Sequence, residues 1–367
     1  MISTGLGRVN RGFELYIISL ANYLSTEQEN YDFSIKVYGG NYSRKQSGFD
    51  GRKISSWKRD GFIKWILPSS SKRLRLERFT FWLNMIPFLW IDKPKAIYLG
   101  EYPIYGWMYK MRKWKLIDCG LALYTGGQAI PDKEHFNNRK DFIHHITDVY
   151  LNSCKELSQR RQILLPHFIS MDFEYNSILF HHLKDQAKGK LIILSVGAIE
   201  KSSKRMDLLL KSLAPFRNNV FPVLLGEPTQ DSYEITEMAI SLFGKGNFII
   251  DRVNQAELGT WYQVSDGFVL CSPKESFGLS LIEAIYHGLS VASFKFPESE
   301  FVLKDWAWWL YHTDEIGLSE ELSKWLMSLR NQTRSLIGHR FAFEEYSYHR
   351  LKDRYIRMFR EIIDQNP

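Results

Sequence analysis

The chain has 367 residues, 44% apolar and 15% aromatic, enough for at least one full core, and at this length two domains are expected. Its formal charge of +7 is modest, and with no recognition motif beside it nucleic acid is not an expected partner. Cys119, Cys154 and Cys271 are too few and too scattered for a disulfide framework or a zinc knuckle, which suits a reducing cytoplasm, and neither a membrane-spanning run of roughly 18 to 20 apolar residues nor a secretory signal is present.

From the N-terminus, helical spacing appears in GFELYIISLANYL, Gly12 to Leu24, and strand character in SIKVYG,. Between Arg52 and Arg78 there are nine Lys or Arg and two acids, interleaved with Trp57, Phe62, Trp65, Ile66 and Leu67 and followed by FTFWLNMIPFLWI. That mixture suits contact with anionic lipid; the alternative is an ordinary helix with a solvated basic face. A helix is predicted through Lys72 to Trp90, then strands in AIYLG and LIDCGLALYTGG. Alternating strands and helices read as a doubly wound sheet.

The pattern restarts after LPHFISMDFEYN and a polar spacer, KDQAKGK. Strands are predicted in KLIILSVG, VFPVLLG, NFIID, FVLCS and LSVASF, and helices in MDLLLKSLAPF, SYEITEMAISLFG, AELGTWYQVSD and SLIEAIYHG,. Each of these strands but the last ends near Gly, Ser or Asp, at the carboxyl edge where a parallel sheet collects ligands. The basic, amphipathic FEEYSYHRLKDRYIRMFREII closes the chain as an outer helix,. His144-His145 and His181-His182 lack a third ligand at metal spacing and read as polar helix faces,.

Ser272 to Phe294, SPKESFGLSLIEAIYHGLSVASF, carries the chemistry. FVLCS is a buried strand, PKES leaves its carboxyl end, and the following helix runs to Gly288, which places Glu275 at a strand tip. The amides of Phe277, Gly278, Leu279 and Ser280 form the free end of that helix, where unpaired donors and the dipole favour a phosphate. Glu283, one turn in, is placed to accept from two neighbouring hydroxyls, as on a ribose. The plainer alternative makes Glu275 a loop acid and Glu283 a residue that favours a helix start.

Ser272-Pro273, Glu275, Phe277-Gly278-Leu279, Glu283-Ala284 and Gly288 together resemble the donor-site signature of the retaining GT-B glycosyltransferases of family 4, the glycosyl transferases group 1. SVGAIEKSSKRMDLLLKSL, NFIIDRVNQAEL and the Gly5-Leu6-Gly7 turn are similar to further parts of that family, in its order. The resemblance implies an α/β GT-B fold, with two Rossmann-like domains facing each other across a cleft. It divides the chain into an acceptor-side domain over 1–168, a nucleotide-sugar domain over 169–345, and a C-terminal helix, 346–367, packing back on the first. Glu275 would bond hydroxyls of the transferred sugar, Lys204 the diphosphate and Glu283 the ribose; Glu275 and Lys204 are the catalytic pair. The base would sit near Asp251, Arg252 and Val253, and Gly5 and Gly7 would let the first domain's backbone approach the phosphates.

The implied activity is retaining, metal-independent transfer of a hexose from a nucleotide sugar, UDP-glucose or a similar UDP-sugar favoured. The acceptor is a glycan or lipid-linked saccharide in polysaccharide biosynthesis, and the enzyme is cytoplasmic or peripheral on the inner membrane face, with an anionic membrane surface as a further partner. No cofactor is expected beyond the donor; no Asp-x-Asp occurs to hold a metal on its diphosphate. Three departures stand out: Ala198 where the family has a diphosphate-binding arginine, with Lys201 or Arg205 as substitutes; Tyr124-Thr125-Gly126-Gly127-Gln128 where a histidine is common, with His135 a weak replacement; and only four residues ahead of Gly5. The alternatives are a catalytically silent carbohydrate- or membrane-binding module on this fold, and a nucleotide-sugar hydrolase or epimerase. An oxidoreductase fails because a dinucleotide fingerprint needs a strand immediately before it and a third glycine, and in GLGRVNRG Asn10 stands where that glycine should be,.

Overall fold

A computed structural model describes residues 1–6, 12–26, 33–40, 50–57, 69–126, 141–154, 161–170, 173–329 and 334–364. The chain forms two compact units, Met1–His167 with Leu351–Pro367, and Phe168–Arg350.

Among the described residues, the first unit holds a parallel sheet in the order β3-β2-β1-β4-β5-β6-β7. Its strands are β1 (Ile2–Ser3), β2 (Lys36–Gly39), β3 (Asp50–Lys53), β4 (Ala96–Leu99), β5 (Gly120–Thr125), β6 (Phe142–His145) and β7 (Arg161–Leu164). The first strand is two residues long yet central, Ile2 lying opposite both Tyr38 and Leu99. Helices α1 (Gly12–Thr26), α2 (Ser70–Asp92), α3 (Tyr102–Lys113) and the short α4 (Asp148–Ser153) connect these strands. The inward face of α2, Phe81, Met85 and Leu89, packs with Ile104 and Met108 of α3 over Leu99, Leu121 and Leu123,. Near the base of α3, Arg112 grips the buried Asp141 (Nη2–Oδ2 2.7 Å), which also accepts from the Tyr105 phenol at 2.7 Å.

His144 and His145 are strand residues, not the polar helix face expected from the sequence. Both are buried in β6. His144 receives the Tyr98 hydroxyl at 2.7 Å on Nδ1 and donates Nε2–H to the Leu165 carbonyl at 2.7 Å; burial lowers its pKa to about 4, so the ring is neutral. His167 stacks on Tyr16 at 4.2 Å and bonds the Tyr124 hydroxyl. The last helix, α13 (Tyr348–Asp364), joins this cluster, its Tyr355 hydroxyl donating to the Pro166 carbonyl at 2.7 Å. His181 and His182 do lie exposed on a helix, α5 (Ser177–Ala187), which absorbs half of the expected spacer.

The second unit has a parallel sheet in the order β10-β9-β8-β11-β12-β13: β8 (Leu191–Val196), β9 (Val220–Leu225), β10 (Ile249–Asp251), β11 (Gly267–Leu270), β12 (Ser290–Phe294) and β13 (Ala307–Leu310). Near-continuous apolar runs fit strands covered on both faces. The intervening helices are α6 (Met206–Leu213), α7 (Ser232–Phe243), α8 (Leu258–Val264), α9 (Leu279–Tyr286) and α10 (Pro297–Leu303), with α11 (Glu315–Leu329) and α12 (Leu336–Tyr346) beyond the sheet. Leu209, Leu213, Leu322 and Trp325 fill the core. Gly267 is required there, since a Cβ would stand 2.6 Å from the Trp325 ring. Among the described residues no helix is long and apolar enough to cross a membrane.

Candidate functional site

In the second sheet, the connection from β8 goes to β9 on one side, while β11 lies on the other. Such a reversal of strand order opens a crevice at the carboxyl ends, the usual ligand position in open α/β sheets. The loop after β8 carries Lys204 and the loop after β11 carries Glu275, so both residues flank this point, and their side chains form an ion pair. They are 21% and 15% exposed, reachable but partly desolvated.

The strand tips are built tightly. Gly197 N–H donates to Leu225 O at 2.9 Å, and Gly226 N–H to Asp251 O at 2.9 Å. A Cβ on Gly226 would fall 1.8 Å from the Gly197 carbonyl oxygen, and one on Gly197 would fall 3.1 Å from Lys204 Cδ and Cε. The bare backbone at Gly197 is what lets the lysine stem cross the tip of β8. Next to it, Arg205 starts α6 at φ 49, and its Nε stands 3.7 Å from Asp207 Oδ1. Lys201 bonds Glu234 at 2.5 Å. Both candidate substitutes for the arginine missing at Ala198 therefore have acidic neighbours, as Lys204 has in Glu275, and Arg205 is near enough to Cys271 at the tip of β11 to act on its thiol.

Gly278 takes φ 76 and ψ 53, a left-handed conformation that turns the chain into α9,. Leu279 and Ser280 are the first residues of that helix, and the Gly278 cap supplies no side chain to their amides,. Phe277 is buried, edge-on to Tyr346 at 5.8 Å, which anchors the loop from below. Asp251 and Arg252 are exposed at the tip of β10 with Val253 half-buried beside them, and Arg252 bonds Glu227 at 2.9 Å.

Glu283 is 4% exposed. Its Oε2 accepts the Tyr262 hydroxyl at 2.8 Å, with a further bond from Gln255. His287 stacks on Tyr262 (centroids 4.9 Å apart) and donates Nδ1–H to the Glu283 carbonyl at 2.8 Å; burial holds its pKa at about 4, keeping the ring neutral. Burial raises the Glu283 carboxyl above the usual glutamate range, with the Tyr262 and Gln255 hydrogen bonds acting in opposition. The folded chain thus holds this proton to higher pH than the unfolded chain, and stability falls as pH rises from the ordinary glutamate value through the raised one. Glu283→Gln is expected to raise the melting temperature at about pH 8 but not at about pH 4. An equal loss of stability at both pH values would show that the carboxylate is simply a needed structural acceptor.

In the first unit, Gly5 follows β1 in a turn, and Gly7 lies outside the described residues. The order of this sheet reverses between β1 and β4. There Glu101 Oε1 accepts from Thr4 N–H at 2.8 Å and Thr4 Oγ1 at 2.6 Å, while Arg78 Nε donates to its Oε2 at 2.7 Å. Sequence reasoning missed Glu101, one residue beyond AIYLG, and the Tyr262 and Gln255 partners of Glu283. The stretch holding Tyr262 shows only helical spacing, and no linear motif ties it to Glu283.

Residues 180–337 match the family described as Glycosyl transferases group 1. No curated protein matches the sequence. Among solved structures, the chain is similar to a sucrose-phosphate synthase from Thermosynechococcus elongatus, with TM-score 0.77, 13% identity, and 99% of this chain and 98% of that one covered. It is similar also to a glycosyltransferase from Rickettsia africae (TM-score 0.75, 13% identity, 99% and 97% covered). A third is HepE from Anabaena in complex with UDP and glucose (TM-score 0.73, 12% identity, 98% and 98% covered). At these identities the likeness shows the fold, that of GT-B glycosyltransferases with two Rossmann-like α/β units.

Proposed function

We propose that this protein, whose residues 180–337 form a glycosyl transferases group 1 domain, is a retaining glycosyltransferase of family 4 that moves a hexose from a UDP-sugar, UDP-glucose favoured. The acceptor is a glycan or lipid-linked saccharide in polysaccharide biosynthesis, and the enzyme works at the inner membrane face. The observation that carries this reading is the Lys204–Glu275 pair at the switch point, beside the amides that start α9. When the donor binds, its diphosphate replaces Glu275 as the partner of Lys204, and sugar hydroxyls take up the freed carboxylate. Glu283 receives the ribose hydroxyls, and Arg252 and Val253 border the base.

In the chemical step the sugar C1–O bond to the diphosphate breaks and the acceptor oxygen bonds C1 on the same face. The acceptor's proton passes to the leaving phosphate oxygen. Charge builds on that phosphate, where the α9 amides and Lys204, drawn from Glu275 onto the diphosphate when the donor binds, meet it, so no metal is invoked.

A panel of nucleoside diphosphates, each with and without EDTA, tests the reading by thermal shift. UDP at about a hundredfold excess over Kd is expected to raise Tm by roughly 5–10 °C, unchanged by chelator. No shift with any nucleotide would favour a silent module, and a chelator-sensitive one would require a metal. Release of free glucose without acceptor would favour the hydrolase.

A further inference from the structure

The outer face of α2 is apolar where a surface helix is usually polar. Phe79, Leu83, Pro87 and Trp90 recur every three or four residues, opposite the buried Phe81, Met85 and Leu89,. Leu83 is 49% and Trp90 53% exposed. From Phe79 to Trp90 the stripe runs about 16 Å at the helical rise. At its end the Trp90 indole donates to Leu116 O at 3.1 Å, which seats the turn after α3 against α2 and adds Trp114, 66% exposed. Trp57 N–H donates to Thr80 Oγ1 at 3.1 Å, placing a further exposed indole beside the stripe.

The flanking charge is basic. Lys72 and Arg75 precede the stripe on the exposed surface of α2, and Lys93, Lys113 and Lys115 surround its other end, all three exposed. None of these five enters an ion pair among the described residues. By contrast, two basic residues of the run singled out in the sequence are internal fasteners. Arg52 bonds Asp92 at 3.0 Å and lies over the Phe88 ring, and Arg78 bonds Glu101.

We propose that this face of α2, with the turn at Trp114, is a docking surface for an anionic lipid bilayer, the helix lying in the plane of the interface. An apolar stripe with indoles and unpaired lysines at its margins matches the acyl boundary and the phosphate layer together. A soluble partner would supply scattered acids of its own, whereas lysines at both ends of a linear apolar stripe fit a continuous sheet of negative charge. The proposal deepens the membrane reading given above and rests on it, but not on donor chemistry. It also gives α2 two roles, since Arg78, next to the start of the stripe, reaches the switch point of the first sheet.

The test is flotation of the full chain with vesicles of phosphatidylcholine alone and of equal parts phosphatidylcholine and phosphatidylglycerol. The wild type should float with the anionic vesicles only, and less so in high salt. Leu83→Glu with Trp90→Glu should lower partitioning at least about tenfold, and Lys93→Gln with Lys113→Gln by about 25-fold, about fivefold for each charge near the surface. The second pair guards against misfolding of the first. Ile178→Glu, at an exposed apolar site in the second unit, should float as wild type. The UDP thermal shift, read on the same variants, should stay unchanged, so failure of the docking surface is separable from failure of the donor site. No flotation of the wild type, or flotation indifferent to both pairs, overturns the proposal. A wild-type dimer in sedimentation that Leu83→Glu with Trp90→Glu dissociates would instead assign the stripe to a second copy of the chain.

Discussion

Lys204→Ala is expected to lower turnover by about 10²–10³-fold, the usual loss when a preorganised charge on a leaving group is removed. Glu275→Ala should lose a comparable amount through the sugar hydroxyls it no longer holds. The pairing of the two in this structure adds a second readout. Each single variant leaves one partner without its counter-charge, so the stability losses should not add. The double variant should be less destabilised than the sum of the singles, because removing both charges leaves neither uncompensated. Glu275→Gln separates charge from hydrogen bonding: it keeps one acceptor and two donors for sugar hydroxyls but loses the ion pair with Lys204. Turnover and melting curves on all four proteins decide the matter. Wild-type turnover in both alanine variants would remove them from the site.

Gly226→Ala is expected to destabilise the second unit by about 1–3 kcal/mol or more. The added Cβ would lie 1.8 Å from the Gly197 carbonyl oxygen and 2.5 Å from its carbon. No rotamer change relieves a clash with backbone, so the tips of β8 and β9 must part, straining the Gly197–Leu225 and Gly226–Asp251 hydrogen bonds. For a domain of this size the melting temperature should fall by about 2–4 °C for each kcal/mol. Because Lys204 lies across Gly197, nucleotide binding should weaken with it. Gly106→Ala is the control: it sits inside α3 with nothing within 4 Å of an added Cβ, and should stabilise by about 0.4–1 kcal/mol. Equal melting temperatures for the two variants would mean that the strand tips are looser than this packing implies.

The second unit was far more legible in the sequence than the first, for physical reasons. Its strands are covered on both faces and read as unbroken apolar runs ending in small or turn residues, as in LIILSVG and VFPVLLG. Gly278, Glu275 and Glu283 stand close together along the chain, so their placement on one loop and one helix follows from local rules. The first unit depends on pairings that are distant in sequence. β1 is two residues long and exists because β2 and β4 flank it; β3, DGRK, has no apolar alternation at all. His144 and His145 look polar in isolation, and only Tyr98, Thr125, Gln162 and the Leu165 carbonyl make a buried strand of them. In the same way, Lys204 and Glu275 each suggest a ligand contact separately, but their contact with each other comes from β8 and β11 being neighbours. The order of the sheet set that, and no motif encodes it.

A crystal structure with UDP-glucose bound tests the central claim most directly. The diphosphate is expected against the amides of Leu279 and Ser280, with Lys204 turned from Glu275 onto its oxygens and the ribose hydroxyls at Glu283. A nucleotide bound away from the β8 and β11 tips, with Lys204 and Glu275 still paired, would contradict it.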